Sequence, residues 1–162
     1  MGRLNCRSTP SSETVIEILS SRMKDSFKAD LAKAVAHSCA LLDNAYNNND
    51  PGALIRVFTE NATLVTDTGI LNGREAISKY QTEIFKIVKF SKHQSTADPE
   101  STHLIEADRK ELFAAGSWSQ TIQMPDKKPI RMRGFWSAIV VNDGTGRQLM
   151  QTWNTAPVYQ AR

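Results

Sequence analysis

Apolar side chains recur at Phe27, Leu31, Val35, Cys39, Leu42 and Tyr46, a spacing of three and four residues that lines one face of an α-helix and requires cover. Upstream, Ile16, Leu19, Met23 and Phe27 keep helical spacing, and Thr14 with Glu17 has the form of a capping box. A helix is therefore predicted from Thr14, with a break near Asp25-Ser26. The run Asn47-Asn48-Asn49 ends the long stripe. Asp50 as N-cap and Pro51 at the first helical position then open a short helix that buries Leu54, Val57 and Phe58.

Beyond it the period shortens. Ala62 to Thr66 is a β-branched run closed by Asp67-Thr68-Gly69, which reads as a strand and turn. Asn72 and Glu75 form a candidate cap pair for a third helix with Ile77, Tyr80, Ile84 and Ile87 on its inner face. From Val88 onward the pattern is extended. Strands are predicted at about 89–97, 103–123 with a bulge near Asp108, 129–141 and 147–156, separated by Pro99, by Pro125 through Pro129 and by Asp143-Gly144. Helices followed by a meander specify an α+β architecture in which N-terminal helices pack in a curved antiparallel sheet open at one end. Residues 1–12 are polar and without periodicity and read as a flexible tail, leaving 13–158 as a single domain.

Composition narrows the partners. The chain has 162 residues, 23% of them charged, and a net charge of +3, with its basic residues scattered among acids. No nucleic-acid groove is indicated, and no apolar run approaches the length of a membrane span. Cys6 and Cys39 have no partner spacing and read as free thiols. The early apolar stretch is broken by Glu17, so a secretory leader is not expected and a cytoplasmic location is.

The segments Asn49-Asp50-Pro51-Gly52-Ala53-Leu54, Val57 through Val65, Gly69 and Gly73-Arg74-Glu75-Ala76-Ile77 together resemble the opening of the nuclear transport factor 2-like superfamily. Ala115-Gly116-Ser117-Trp118 and Trp153-Asn154 extend the likeness to the SnoaL-like and ketosteroid isomerase-like branches, over about residues 28–157. The resemblance implies a cone-shaped, barrel-like fold enclosing an apolar cavity, often within a homodimer. It does not imply one reaction, because function resides in sites grafted on folds.

Placed on that resemblance, Thr66 stands where an isomerase would carry its carboxylate base, Leu42 where it would carry a tyrosine, and Ser137 where it would carry a second acid. Asp67 is one residue from the base position. The expected cavity side carries Leu42 and Tyr46 from the long helix and Leu64 and Thr66 from the first strand. Phe113, Ala115 and Ser117 join from the long strand, with Arg133, Phe135, Ser137, Gln151 and Trp153 from the last two. Arg133, Tyr46 and Asp67 are the candidate catalytic groups: a guanidinium for an enolate or carboxylate, a hydroxyl donor and a carboxylate base.

The opposite face would then show Ile130, Met132, Gly134, Trp136, Ala138 and Val140, with Trp118, Ile122 and Met124 beside them; a second copy of the chain is the simplest cover. The other parity, with these tryptophans inside, stays open. His37, His93 and His103 have no metal-ligand spacing, and His93 or His103 could serve as acid or base if its strand turned it inward. There is no phosphate-binding glycine loop and no nucleophile elbow, so no cofactor is expected. The function these observations favour is cofactor-independent proton transfer on a small apolar, oxygen-bearing molecule: isomerisation, cyclisation or dehydration. The alternative is a non-catalytic ligand-binding or association module.

Overall fold

The computed structural model describes residues 12–105, 111–142 and 148–158, with side chains from Ala29 onward other than Ala32 and Gln148. Residues 1–11 of the expected tail, and the expected bulge at Asp108, lie outside the described residues. Two compact units are distinguished, Met1–Asp30 and Leu31–Arg162. In the first, residues from Ser12 are helical.

Helix α1 (Ser12–Asn47) contains no glycine or proline, and the break expected near Asp25-Ser26 is not there. Within the second unit its apolar stripe is buried at Val35, Cys39, Leu42 and Tyr46. Asn49 adopts φ 53° at the helix end, a left-handed conformation that asparagine tolerates better than most residues. Asp50 then caps α2 (Pro51–Ile55), its side chain accepting from the Ala53 N–H at 2.8 Å. Leu54 and Phe58 are fully buried under this corner.

Strand β1 (Phe58–Thr66) turns back into β2 (Gly69–Asn72). Helix α3 (Arg74–Ile87) follows, and its cap differs from the expected one. Gly73 is the N-cap without a side-chain bond, while Asn72 Oδ1 accepts from the Thr63 hydroxyl. The buried face of α3 is Ile77, Gln81 and Phe85, and Ile87 is exposed.

The remaining strands are β3 (Lys89–Ala97), β4 (His103–Leu104), β5 (Glu111–Gln123), β6 (Ile130–Asn142) and β7 (Gln148–Pro157). The expected strand 103–123 is a hairpin instead: His103 pairs with Phe113 and Leu104 with Leu112. The seven strands form one curled, unclosed sheet in the order β2-β1-β7-β6-β5-β3, with β4 on the end of β5. Its pairs are antiparallel except β1 with β7, which joins the first strand to the last in parallel. Among the described residues no helix is long and apolar enough to cross a membrane.

The register decides the parity that the sequence left open. Trp118 pairs with Gly134, Gly116 with Trp136 and Ala138 with Trp153, so all three tryptophans share one face, and all are buried. Leu112, Ala114, Ala138 and Val140 lie on that face too. A β-carbon at Gly134 would meet the Trp118 ring at 2.6 Å and the Ala156 carbonyl, so only glycine leaves room for the indole. The face expected to need a second copy of the chain is therefore the core face. Strands bury the parity that removes more apolar area from water, and a one-residue slip exchanges every side chain.

Candidate functional site

A cavity of about 250 Å³ opens between the C-terminal end of α1, helix α3 and the inner face of the sheet. Its walls are mainly apolar and aromatic: Tyr46, Phe90, Trp118 and Trp153, with Leu64, Ile84 and Met132 between them. Polar groups reach it from Thr66, Asp67, Gln81, His93, Gln120 and Thr155. This is the make-up of a small-molecule site, apolar in body with a few placed polar atoms. Its described lining holds one carboxylate, Asp67, and no lysine or arginine.

His93 is buried in that wall at 6% exposure, beside the buried phenol of Tyr46. Its inward orientation is produced by a break in strand alternation. Phe90 and His93 are both buried although three residues apart, because β3 carries an extra residue between Ser91 and Gln94 relative to β5. Lys92, in that bulge, has φ 53°. Without the bulge, Lys92 would face in and His93 out.

The ring is fixed on both sides. Nδ1 lies 2.9 Å from Asp43 Oδ1, and Tyr46 stacks on the imidazole with centroids 4.4 Å apart and planes 18° from parallel. Asp43 Oδ1 also accepts from the Ser95 N–H at 2.9 Å. An ionised carboxylate can only accept, so Nδ1 carries a proton toward Asp43, and in the neutral imidazole this leaves the lone pair on Nε2. Asp43 belongs to the same α1 face as Tyr46 and Asn47, and backbone contacts from that face continue along β3. Asn47 Oδ1 accepts from the His93 N–H at 2.7 Å while its Nδ2 donates to the His93 carbonyl at 2.9 Å.

Tyr46 is held by its neighbours as firmly as it holds His93. Its ring also packs on Phe85 and Phe90, at 5.6 and 5.1 Å between centroids. Burial pushes its hydroxyl well above the usual phenol range; a hydrogen bond from Gln81 works the other way and Tyr80 adds to the rise. Tyr46 thus keeps its hydroxyl proton at ordinary pH.

The candidates from sequence divide by face. Tyr46, Leu64, Thr66, Asp67 and Trp153 line the cavity, Asp67 because it sits in the β1–β2 turn, where strand alternation no longer applies. Leu42 is buried beside Trp153 in the adjoining core. The others correct the expectation. Arg133 and Phe135 are exposed on the outer face, where they and Ser117 border a separate groove with Gln94 and Thr96. Phe113 packs beside His103, and Ser137 accepts from Asn154 Nδ2. Gln151 is exposed at a second register shift that lets both Met150 and Trp153 point inward.

Asp43 and the asparagines after it were absent from the sequence-derived site. The available signal was position: Leu42, Asp43, Tyr46 and Asn47 recur at the spacing of one helix face, and a carboxylate beside a buried stripe must find a partner. The partner itself was hidden by the bulge. Among the described residues no group of three His, Cys, Asp or Glu side chains is placed to hold a metal ion.

No family model matches the chain, and no curated protein does. Solved structures do. A ketosteroid isomerase-like protein from Erwinia carotovora atroseptica superposes with a TM-score of 0.69 at 13% identity, over 80% of this chain and 97% of that one. A type 2 hexachlorocyclohexane dehydrochlorinase gives 0.64 at 12% identity, covering 89% of each chain. A nuclear transport factor 2-like superfamily protein from Salmonella enterica serovar Typhimurium gives 0.64 at 14%, over 83% of this chain and 95% of that one. The chain has the nuclear transport factor 2-like fold.

Proposed function

We propose that the protein is a cofactor-independent enzyme that removes a proton from a neutral, largely apolar substrate held in this cavity, with His93 as the base and Asp43 as its orienting partner. The observation carrying this reading is the 2.9 Å contact between His93 Nδ1 and Asp43 Oδ1 in the wall of an apolar cavity. A base so held presents Nε2 to the ligand, and the imidazolium formed on proton transfer is stabilised by the carboxylate behind it. The His93 side chain is nearly sealed from water, at 4% exposure, and the absence of lysine and arginine from the described lining favours an uncharged substrate.

The electron pair left on the substrate carbon has two outlets. It can move into a conjugated carbonyl as an enolate that takes the proton back from the imidazolium at another carbon, giving an isomerisation, or expel a leaving group from the neighbouring carbon while the base keeps the proton, giving a dehydration or related elimination. Both begin with the step this pair is built to perform. The similar structures support that range, since one is named for isomerase likeness and another for dehydrochlorination. Their identities are too low to carry a substrate across.

The test is a screen of neutral cyclic ketones, β-hydroxy ketones and chlorinated hydrocarbons in D₂O, followed by mass spectrometry for deuterium uptake and loss of water or hydrogen chloride. The expected result is turnover of at least one class by the wild type and its loss in His93→Ala. Compounds that bind in the cavity without reacting would instead establish a binding module.

A further inference from the structure

The bulge that turns His93 inward stands on the free edge of the sheet, since β3 ends the strand order. An edge strand has unpaired N–H and C=O groups, and here α1 and the residues after it supply the missing partner from side chains. Asn49 treats Phe90 as Asn47 treats His93: its Oδ1 accepts from the Phe90 N–H at 2.8 Å and its Nδ2 donates to the Phe90 carbonyl at 2.9 Å. Asp43 takes the Ser95 N–H. Moving from Asp43 through Asn47 and past the end of α1 to Asn49 therefore matches descending β3 from Ser95 through His93 to Phe90.

The two asparagines bracket the bulge. Each offers a donor and an acceptor on two separate atoms, as the N–H and C=O of a strand residue require, which among side chains this short only the asparagine amide does. Between their attachment points sits Lys92 at φ 53°, a conformation a lysine holds only where its surroundings over-determine it. The regular strand, with Lys92 inward and His93 outward, is the alternative it would relax to. Resting on the reading of His93 as base, we propose that Asn47 and Asn49 are positioning residues that hold the β3 bulge open and thereby keep the His93 ring against Asp43 and facing the cavity.

A purely edge-covering role would cost stability when lost but would not move the ring. Nuclear magnetic resonance of ¹⁵N-histidine-labelled protein separates the two, with the His93 signals assigned by their absence from His93→Gln. In the wild type the expected spectrum is that of a single Nδ1–H tautomer. In Asn47→Ala with Asn49→Gly, where glycine preserves the left-handed helix end, that signature gives way to the averaged tautomers of a solvated histidine. Adding Lys92→Gly, which removes the strain of the bulge, restores it. Asn48→Ala changes nothing, since among the described residues the Asn48 side chain bonds to Asn44 and not to β3. Should the double substitution fail to fold, Asn49→Gly alone and with Lys92→Gly is read the same way.

A folded double variant with the wild-type His93 spectrum overturns the proposal, and so does a wild-type ring that is already averaged. These readouts need no substrate, so a screen without turnover removes the catalytic reading while the positioning claim is still decided. Where turnover is found, kcat in the double variant falls by on the order of 10²-fold with KM little changed.

Discussion

The two faces of the β5–β6 hairpin differ by one residue in register and by everything in chemistry. The inner face carries Trp118, Met132 and Trp136 and looks onto a cavity with His93 in its wall. The outer face carries Ser117, Arg133 and Phe135, the last 63% exposed. An arginine attracts attention in a sequence because its charge is conspicuous, but on the outer face water surrounds it and little is demanded of it. His93 is conspicuous only once folded, because burial, a carboxylate at 2.9 Å and a stacked tyrosine confine it to one orientation. Confinement rather than charge sets the inner face apart.

The sharpest way to break this contrast is kinetic. His93→Ala is expected to lower kcat on a substrate found in the screen by about 10²–10⁴-fold, and Asp43→Asn, which no longer fixes the tautomer, by a comparable factor; Arg133→Ala is expected to leave it at the wild-type level. If Arg133→Ala were the damaging change, the assignment of faces would be reversed. Next in size is packing. Trp118→Ala is expected to cost about 3–5 kcal/mol in urea unfolding, against less than about 0.5 kcal/mol for Phe135→Ala.

A smaller effect sharpens the seat of Trp118. Gly134→Ala forces a methyl into the indole and is expected to cost about 1–3 kcal/mol, again by urea unfolding. Smallest is a response to alkali inside the core. Burial, with Asp43 nearby adding to it, pushes the Cys39 thiol from 9.0 up to about 11. Between those values the unfolded chain has released a proton that the folded chain keeps, so stability is full below about pH 9 and declines as pH rises toward 11. Denaturation curves at pH 8, 9.5 and 11 are expected to show that decline, reduced in Cys39→Ala; an unchanged slope would remove Cys39 as its source.

Much of the frame was legible from residue order. The α1 stripe, the Asp50-Pro51 start of α2, the β1 turn and the extended second half each rest on neighbours within a few residues, and local propensity decides them. Where it misled, long-range pairing had intervened: the 103–123 segment folds back at His103–Phe113, and the Asn72 side chain was taken by Thr63 instead of capping α3. Of the site, Tyr46, Leu64, Thr66, Asp67 and Trp153 were anticipated at the cavity. Arg133, Phe135, Ser117, Phe113 and Ser137 were placed on the wrong side by one slip of parity between β7 and its neighbours, and Gln151 by the register shift within β7.

The sequence by itself determined which stretches are helix and which are strand, because periodicity is a local property written in adjacent residues. It could not determine which alternate set of a strand faces inward when both sets carry aromatic groups. Nor could it show that Lys92 is an extra residue in its strand, since a bulge exists only relative to the partner opposite. Those were decided by tertiary structure: by the register of β5 against β6 and β3, and by a helix end whose Asp43, Asn47 and Asn49 side chains meet the β3 edge and turn one histidine into the cavity.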